Sequence, residues 1–246
     1  GERVMALLQG GGYGEYAVAD AALVMTVPES LHMEEAACIP EALFTAWWNF
    51  FGLMHLKRDE FALIHGGTSG VGHLALQAMS ALGYRVLATA GSDRKVKAAA
   101  GFGAYAAFSY KDTDLAAKVR DATDGAGISA LLDMSAGAHI AADLEMMAPD
   151  GRIAHLSAGG GGTLGVPLKP LMAKRISITG SLLRPLALTR KSEIAAMIKR
   201  DVMPLFYGRV RPKIAAAFAL EDAADAHREM EKGSHIGKIL LQVSAS

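Results

Sequence analysis

Residues 61–84 read FALIHGGTSGVGHLALQAMSALGY, and this stretch decides the fold. Its first five residues are an apolar run that glycines end at once, which predicts a short buried strand. From Gly70 the apolar side chains recur at helical spacing, and Gly83 is typical of the position that ends a helix. A strand, a glycine turn and a helix form the first half of a βαβ unit, whose turn can bind a pyrophosphate through backbone N–H groups.

The glycines are spaced Gly67-x-x-Gly70-x-Gly72 rather than G-x-G-x-x-G. Taken alone, such a cluster fits an ordinary glycine-rich turn equally well. The context favours a nucleotide, because the next strand-like run, residues 85–90, ends where the ribose of a dinucleotide is bound in such folds. The sequence therefore predicts a dinucleotide-binding turn.

The composition is that of a globular protein, since 51% of the 246 residues are hydrophobic and 20% are charged. The formal net charge is zero, so the composition gives no reason to expect nucleic acid or a membrane surface as a partner. Cys38 is the single cysteine, which excludes an intramolecular disulfide and suggests a reducing compartment. No run approaches the roughly 20 apolar residues of a membrane span, and we expect a cytoplasmic protein.

Strand and helix signals alternate from residue 61 onward, which predicts an α/β fold with a parallel sheet and helices on both faces. The predicted strands are 61–65, 85–90, 104–108, 128–134, 152–156 and 176–183, and the helices between and after them are 70–82, 93–101, 113–122, 138–147 and 189–200. Residues 157–175 are rich in glycine and contain two prolines, so we expect a long functional loop there.

The two ends of the chain carry short strand signals at 4–8, 15–18, 23–27, 213–218 and 238–243. We therefore predict that residues 46–208 form a doubly wound Rossmann domain, and that residues 1–45 and 209–246 return to one β-rich domain. The opening GERV has the pattern of a strand in mid-domain, so we expect the chain to continue upstream.

The residues after the second Rossmann strand indicate which dinucleotide is bound. NAD-binding sites end this strand with Asp or Glu, which hydrogen-bonds the ribose, whereas here the residue is Ala90. Ser92, Arg94 and Lys95 follow and suit a 2′-phosphate, which favours NADP. Asp93 leaves NAD open if the loop shifts by one residue. Alternatively, Ser92 caps the next helix and the two cations face solvent.

Seven stretches occur in the order of a known family: GGGYGEYAV (10–18), PEALFTAWWN (40–49), IHGGTSGVG (64–72), ATAGSDRK (88–95), FSY (108–110), GSLLR (180–184) and HIGKILL (235–241). With these, the chain resembles the zeta-crystallin-type NADPH:quinone oxidoreductases of the medium-chain dehydrogenase/reductase superfamily. The resemblance implies a Rossmann domain plus a GroES-like β domain, formed by both chain ends and incomplete here. It also implies NADPH as cofactor and hydride transfer to a quinone or another electrophilic conjugated carbonyl.

The resemblance also implies the cofactor-binding residues. At the pyrophosphate they are Thr68, Ser69, Gly70 and Val71. At the 2′-phosphate end they are Gly91, Ser92, Lys95 and Tyr110. At the nicotinamide end they are Thr45, Ser135, Leu156, Ser157, Ser181, Leu182 and Leu183. Without the family, Tyr110 also fits an ordinary half-buried aromatic, and Ser135 and Ser157 fit strand-end caps. We name no catalytic residue, because solvent can protonate a reduced quinone and no Ser/His/Asp or paired-carboxylate constellation stands out.

Zinc-dependent relatives carry a four-cysteine lobe where this chain has only residues 7–14, without cysteine. Cys38 lies outside the position of a ligand, and Glu41 is a possible substitute. The histidines show no ligand spacing. We therefore expect no metal.

Two other functions stay open at this point. One is enoyl-thioester reduction, because related enoyl reductases share the architecture, and the other is a non-catalytic NADPH-binding or structural role. As to assembly, residues 177–183 form the predicted edge strand, and in the superfamily this strand pairs across a two-fold axis. We therefore expect a homodimer. The alternative is a monomer in which this edge strand is covered by another part of the chain.

Overall fold

The computed structural model describes residues 1–135, 137, 139–158 and 162–243. The strands are β1 (Val4–Ala6), β2 (Val24–Thr26), β3 (Phe61–His65), β4 (Arg85–Ala90), β5 (Ala107–Ser109), β6 (Ile128–Asp133), β7 (Met147–His155), β8 (Ser177–Gly180), β9 (Ile214–Ala219) and β10 (Lys238–Gln242). The helices are α1 (Met33–Ala37), α2 (Pro40–Trp47), α3 (Gly72–Ala81), α4 (Asp93–Gly101), α5 (Leu115–Ala122), α6 (Ile140–Met146), α7 (Leu168–Lys174), α8 (Leu188–Met197) and α9 (Ala223–Glu231). None of the helices in these ranges is long and apolar enough to cross a membrane.

The strands β3 to β8 form one parallel sheet in the order β5-β4-β3-β6-β7-β8. Numbered along the chain, this is the 3-2-1-4-5-6 order of the doubly wound Rossmann fold. The order reverses between β3 and β6, so their carboxyl ends flank the crevice in which such sheets bind nucleotides. The predicted fold class is confirmed.

The core of the sheet explains why its carboxyl edge is well defined. All five residues of β3 are buried, as expected for a central strand of a parallel sheet. Leu63 packs in one buried cluster with Leu131 and Ile153 of neighbouring strands, and α5 and α6 add Val119 and Leu144 to it. Each such side chain contributes about 1.5–3 kcal/mol compared with an exposed one. These strands therefore hold the loops at their carboxyl ends in fixed positions.

The chain divides into two compact units. One comprises Trp48–Thr68 and Met79–Leu182 and contains the whole six-stranded sheet. The other comprises Gly1–Trp47, Ser69–Ala78 and the chain from Leu183 onward. In the second unit β1 and β2 pair antiparallel, β9 and β10 pair parallel, and α9 packs on β9 and β10.

The strand predicted at residues 15–18 is wrong. In the structure, Tyr16 and Val18 are 92% and 96% exposed, and no strand forms there among the described residues. Tyr16 and Val18 are residue types that favour strands, but a strand is stable only if its side chains pack against a neighbour. The predicted edge strand is also shorter than expected and ends at Gly180.

A helix, α7, lies within the region predicted as loop. Its two prolines are compatible with this, since Pro167 is the N-cap and Pro170 falls in the first turn, where no intrahelical N–H bond is lost. Arg175 ends the helix in the left-handed conformation with φ +53°. Leu168, Leu171 and Met172 recur at helical spacing, but the pattern is short and none of the residues of α7 is buried.

Candidate functional site

The glycine turn after β3 is fastened to the end of β4. Gly66 has φ +80°, a conformation that favours glycine. The N–H groups of Gly66 and Gly67 both donate to the carbonyl oxygen of Thr89, at 3.1 and 3.0 Å. Thr68, the next residue, is buried. The turn therefore leaves the sheet in a fixed direction.

The second half of the turn leads into α3. The hydroxyl oxygen of Ser69 accepts a hydrogen bond from the N–H of Gly72 at 3.0 Å, and the carbonyl oxygen of Ser69 accepts one from the N–H of His73 at 3.1 Å. Ser69, Gly70 and Val71 thus lie directly before the N-terminus of the helix. The partial positive charge of a helix N-terminus favours an anion such as a pyrophosphate.

A lysine from β10 lies against this turn, and sequence reasoning missed it. A Cβ added to Gly70 would lie 2.7 Å from Cδ of Lys238, so any other residue here would displace the end of the lysine side chain. Nζ of Lys238 donates to Glu41 at 2.7 Å, and the hydroxyl of Thr45 donates to the other carboxylate oxygen of Glu41 at 3.1 Å. The sequence held one clue, because this lysine belongs to the family stretch HIGKILL.

The predicted 2′-phosphate end lies after β4. Ser92 is the N-cap of α4, and its hydroxyl oxygen accepts from the N–H of Lys95 at 3.4 Å, so the capping alternative is realised. Burial and the neighbouring charge of Arg94 lower the pKa of Lys95. An anion bound here would offset both effects. A Cβ on Gly91 would collide with the hydroxyl of Tyr110, which brings these two residues together.

An Asp–His pair at the ends of β6 and β7 was also missed from the sequence. One carboxylate oxygen of Asp133 accepts from the N–H and the hydroxyl of Ser135, both at 2.6 Å, and the other accepts from the N–H of Gly137 at 2.7 Å. Nδ1 of His155 lies 2.8 Å from that second oxygen. Burial raises the pKa of Asp133, but the hydrogen bonds from His155 and Ser135 outweigh it and hold the pKa far below its usual range. Ser135 is thus held through its N–H and its hydroxyl by the side chain of Asp133, which differs from the capping of backbone groups in its alternative interpretation.

Four residues predicted at the nicotinamide end line one cavity of about 510 Å³: Leu156, Ser157, Ser181 and Leu182. His155 lines it too. The hydroxyl oxygen of Ser181 and Nε2 of His155 are buried without a hydrogen-bond partner among the described residues. Buried polar atoms of folded proteins are nearly always satisfied, so this edge of the sheet suits the polar end of a ligand. Leu183, the last predicted residue, is half-buried and does not line the cavity.

Known proteins resemble this chain in sequence. A family model described as zinc-binding dehydrogenase matches residues 70–200. The human protein "Quinone oxidoreductase" is 30% identical over 232 residues, which cover 94% of this chain and 69% of that protein. A segment of a phenolphthiocerol/phthiocerol polyketide synthase from Mycobacterium tuberculosis is 31% identical over 246 residues, or 99% of this chain and 11% of that much longer protein.

Among solved structures, a quinone oxidoreductase from Thermus thermophilus, solved also in complex with NADPH, superposes with a TM-score of 0.84. It is 26% identical in sequence, and the match covers 98% of this chain and 77% of that one. The chain thus spans about two thirds to three quarters of the length of these quinone oxidoreductases.

The described residues do not fit a zinc site. Within the described ranges no three His, Cys, Asp or Glu side chains are grouped so that they could hold a metal. Cys38, the single cysteine, is buried, and burial raises the pKa of its thiol to about 11. Glu41 already engages Lys238 and Thr45.

Proposed function

Since the chain belongs to the quinone oxidoreductase family of medium-chain dehydrogenases/reductases, we propose that it transfers hydride from NADPH to a quinone or another electrophilic conjugated carbonyl. The observation that carries the proposal is a glycine turn at the switch point of a Rossmann sheet, followed after β4 by Ser92 and Lys95 instead of an acidic ribose ligand. The nicotinamide supplies the hydride when NADPH is bound. The protein binds, orients and shields the reactants.

Each part of the cofactor has candidate residues. The pyrophosphate would be bound by the turn from Thr68 to Val71, with Lys238 adding a positive charge beside it. The 2′-phosphate would be bound at Gly91, Ser92 and Lys95, with Tyr110 beside it. The nicotinamide would lie at the cavity of Leu156, Ser157, Ser181 and Leu182. Thr45 and Ser135 would act indirectly, through Glu41 and Asp133.

The reaction would need no metal, because the nicotinamide carries the hydride and solvent can protonate the reduced oxygen. Two observations support this proposal: Glu41 already contacts Lys238 and Thr45, and the described residues contain no group of three His, Cys, Asp or Glu side chains that could hold a metal. We further propose a cytoplasmic homodimer in which β8, an edge strand of the sheet, pairs with β8 of a second copy.

Enoyl-thioester reduction is the second candidate, and one observation favours it: 99% of the chain aligns with a segment of a polyketide synthase. Parallel assays of NADPH oxidation with a benzoquinone and with an enoyl-thioester distinguish the two. Turnover of the thioester alone would favour the second candidate. Tight binding of NADPH without turnover of either would favour a non-catalytic role.

Cofactor choice tests the proposal directly. Isothermal titration should show NADPH binding roughly tenfold or more tightly than NADH, since charge-assisted hydrogen bonds to the 2′-phosphate contribute about 1.5–3 kcal/mol. Lys95→Ala should narrow the difference while NADH binding stays nearly constant. Lys97→Ala, at an exposed lysine of the same helix, is the matched control. Equal dissociation constants of the wild type for the two cofactors would overturn the assignment of the 2′-phosphate site.

A further inference from the structure

His155, the last residue of β7, lines two neighbouring cavities. One is the cavity of about 510 Å³ described above, and the other is smaller, at about 240 Å³. The two cavities share His155, Ser157, Ala158 and Gly180. The rest of the smaller cavity is lined by Gly162, Thr163, Leu164, Ile178 and Thr179. Because an apolar cavity of about 150 Å³ holds benzene, the smaller cavity has room for one substituted six-membered ring.

The pairing with Asp133 determines which nitrogen of His155 carries a proton. Burial raises the pKa of Asp133, but the hydrogen bonds from His155 and Ser135 hold it below its usual range. His65 is the other titratable group that lowers this pKa. A carboxylate accepts hydrogen bonds and donates none, so Nδ1 of His155, 2.8 Å away, is the donor. In the neutral ring the proton is therefore on Nδ1, and Nε2 bears the lone pair.

Nε2 of His155 is buried, yet it has no hydrogen-bond partner among the described residues. Both carboxylate oxygens of Asp133, by contrast, are engaged. A buried polar atom without a partner costs free energy, so Nε2 marks a place where a ligand can bind. Leu164 packs beside this edge of the ring, because a Cβ on Gly137 would meet both the leucine Cδ1 and, at 3.6 Å, Cε1 of His155. A rotation of the Leu164 side chain would open Nε2 to the smaller cavity, which both residues line.

An imidazole that a buried carboxylate orients is suited to transferring a proton at Nε2. The carboxylate fixes the orientation of the ring and stabilises the positive charge that the ring acquires with a second proton. Reduction of a quinone does not require such a group, because the hydroquinone anion is a weak base that water can protonate. Reduction of an enone or an enoyl thioester gives an enolate, which is a far stronger base and gains more from a positioned acid. The Asp133–His155 pair therefore bears on the range of acceptors.

We propose that His155, held by Asp133, is the proton donor with which this chain reduces conjugated carbonyls that are less electrophilic than quinones. The ring of the acceptor would lie in the smaller cavity, with its carbonyl oxygen at Nε2. The assignment deepens the proposed function and rests on it, because bound NADPH supplies the hydride and becomes NADP⁺.

Hydride and proton reach the acceptor at different atoms. The hydride forms a C–H bond at the alkene carbon farther from the carbonyl. The C=C electron pair then forms a new double bond to the carbonyl carbon, and the C=O π pair moves onto the oxygen. The N–H bond at Nε2 breaks, its electron pair stays on the nitrogen, and the proton forms the O–H bond of an enol. The enol returns to the saturated carbonyl compound in water, and solvent gives Nε2 its next proton.

Binding of a ring without NADPH tests the geometry apart from turnover. In ¹⁵N-histidine-labelled protein at mildly alkaline pH, the signals of His155 should show the proton on Nδ1 and none on Nε2. Phenol, a single ring with an O–H donor, should move the Nε2 signal towards that of a protonated nitrogen, whereas anisole, which lacks the donor, should not. His155→Gln identifies the signal by its loss. An Nε2 signal that phenol leaves in place, or a proton found on Nε2 instead of Nδ1, would overturn the proposal.

Turnover tests the role of the residue. With saturating NADPH, His155→Gln should lower kcat for cyclohexenone by roughly 100-fold, which is at the lower end of what general acid catalysis contributes. It should leave kcat for tetrachlorobenzoquinone and the Kd for NADPH nearly unchanged. Imidazole in solution should restore part of the cyclohexenone activity to His155→Gly, because that variant leaves space for the ring. His55→Gln, at an exposed histidine, is the matched control and should change neither rate.

The outcomes separate this role from the proposed function. If the wild type reduces the quinone but not cyclohexenone, the proton donor is overturned while the proposed function stands. The same holds if His155→Gln loses both activities equally and imidazole rescues neither, since His155 is then structural. If the wild type neither binds NADPH nor reduces either acceptor, the proposed function fails, and the proton donor fails with it.

Discussion

Mild acid should destabilise the chain through one buried histidine, His73. Its side chain is fully buried in α3. Nδ1–H donates to the carbonyl oxygen of Ser69 at 2.9 Å, and Nε2 accepts from the N–H of Lys213 at 3.1 Å. The neutral ring is therefore satisfied at both nitrogens, and an extra proton on Nε2 would break the second bond. Burial, opposed by the Ser69 bond and reinforced by the charge of Lys238, lowers the pKa of His73 to about 4.

The size of the effect follows from linkage. An unfolded chain binds a proton at His73 with a pKa of 6.5, whereas the fold binds it only near 4. Because each pKa unit is worth about 1.4 kcal/mol, the free energy of unfolding should fall by roughly 3 kcal/mol from this residue. The loss begins as the pH drops below 6.5 and is complete near 4, where both states are protonated. Above 6.5 the contribution is fully present.

Urea unfolding at a series of pH values between 7.5 and 4 measures this slope. His73→Gln keeps a donor and an acceptor but cannot take up a proton, so its stability should lack this part of the pH dependence. His55→Gln, at an exposed histidine, should keep the slope of the wild type. If His73→Gln loses stability with acid as steeply as the wild type, the reasoning from burial and hydrogen bonding is refuted.

Three further predictions concern metal, assembly and a helix end. Elemental analysis should find no stoichiometric zinc, and a chelator should leave NADPH binding unchanged; one tightly held zinc per chain would contradict this. Light scattering at micromolar concentration should give the mass of a dimer, and Ile178→Pro in β8 should abolish it; a dimer that survives this variant does not use that strand. Nζ of Lys174 donates to the carbonyl oxygens of Leu144, Glu145 and Met147, each at 2.8 Å. Lys174→Met removes these bonds and should lower the free energy of unfolding in urea by about 2 kcal/mol. Lys169→Met, at an exposed lysine of the same helix, is the control.

The two strands whose bounds were predicted to the residue are β3 and β4, which lie in the centre of the sheet. β3 and β4 are continuous apolar runs ended by glycine, and their bounds, Phe61–His65 and Arg85–Ala90, are those predicted. The helix α4 was equally clear because Ser92 caps its start. By contrast, none of the residues of α7 is buried, and Tyr16 and Val18 of the strand predicted at 15–18 are exposed.

The candidate site divides in the same way. Residues of the glycine turn and of the segment after β4 were predictable, because a local motif carries their chemistry. Lys238 and the pair of Asp133 and His155 were not, because their contacts join residues that are distant in sequence. In the sequence, Lys238 is an ordinary residue of a predicted strand, and only the structure shows it against Gly70.

The contacts of the Glu41 carboxylate bear on two features of the site: the described residues do not fit zinc, and the glycine turn has a lysine beside it. A carboxylate that binds zinc gives an oxygen to the metal, whose positive charge repels a nearby ammonium group. Here one oxygen binds the ammonium of Lys238 and the other binds the hydroxyl of Thr45. The same ion pair holds the lysine stem against Gly70, so the positive charge lies beside the turn that would bind the pyrophosphate. A metal at Glu41 would compete with Lys238 for that carboxylate and free the lysine from the turn. In this chain the carboxylate that could have served a metal instead holds Lys238 beside the turn that we propose binds the dinucleotide.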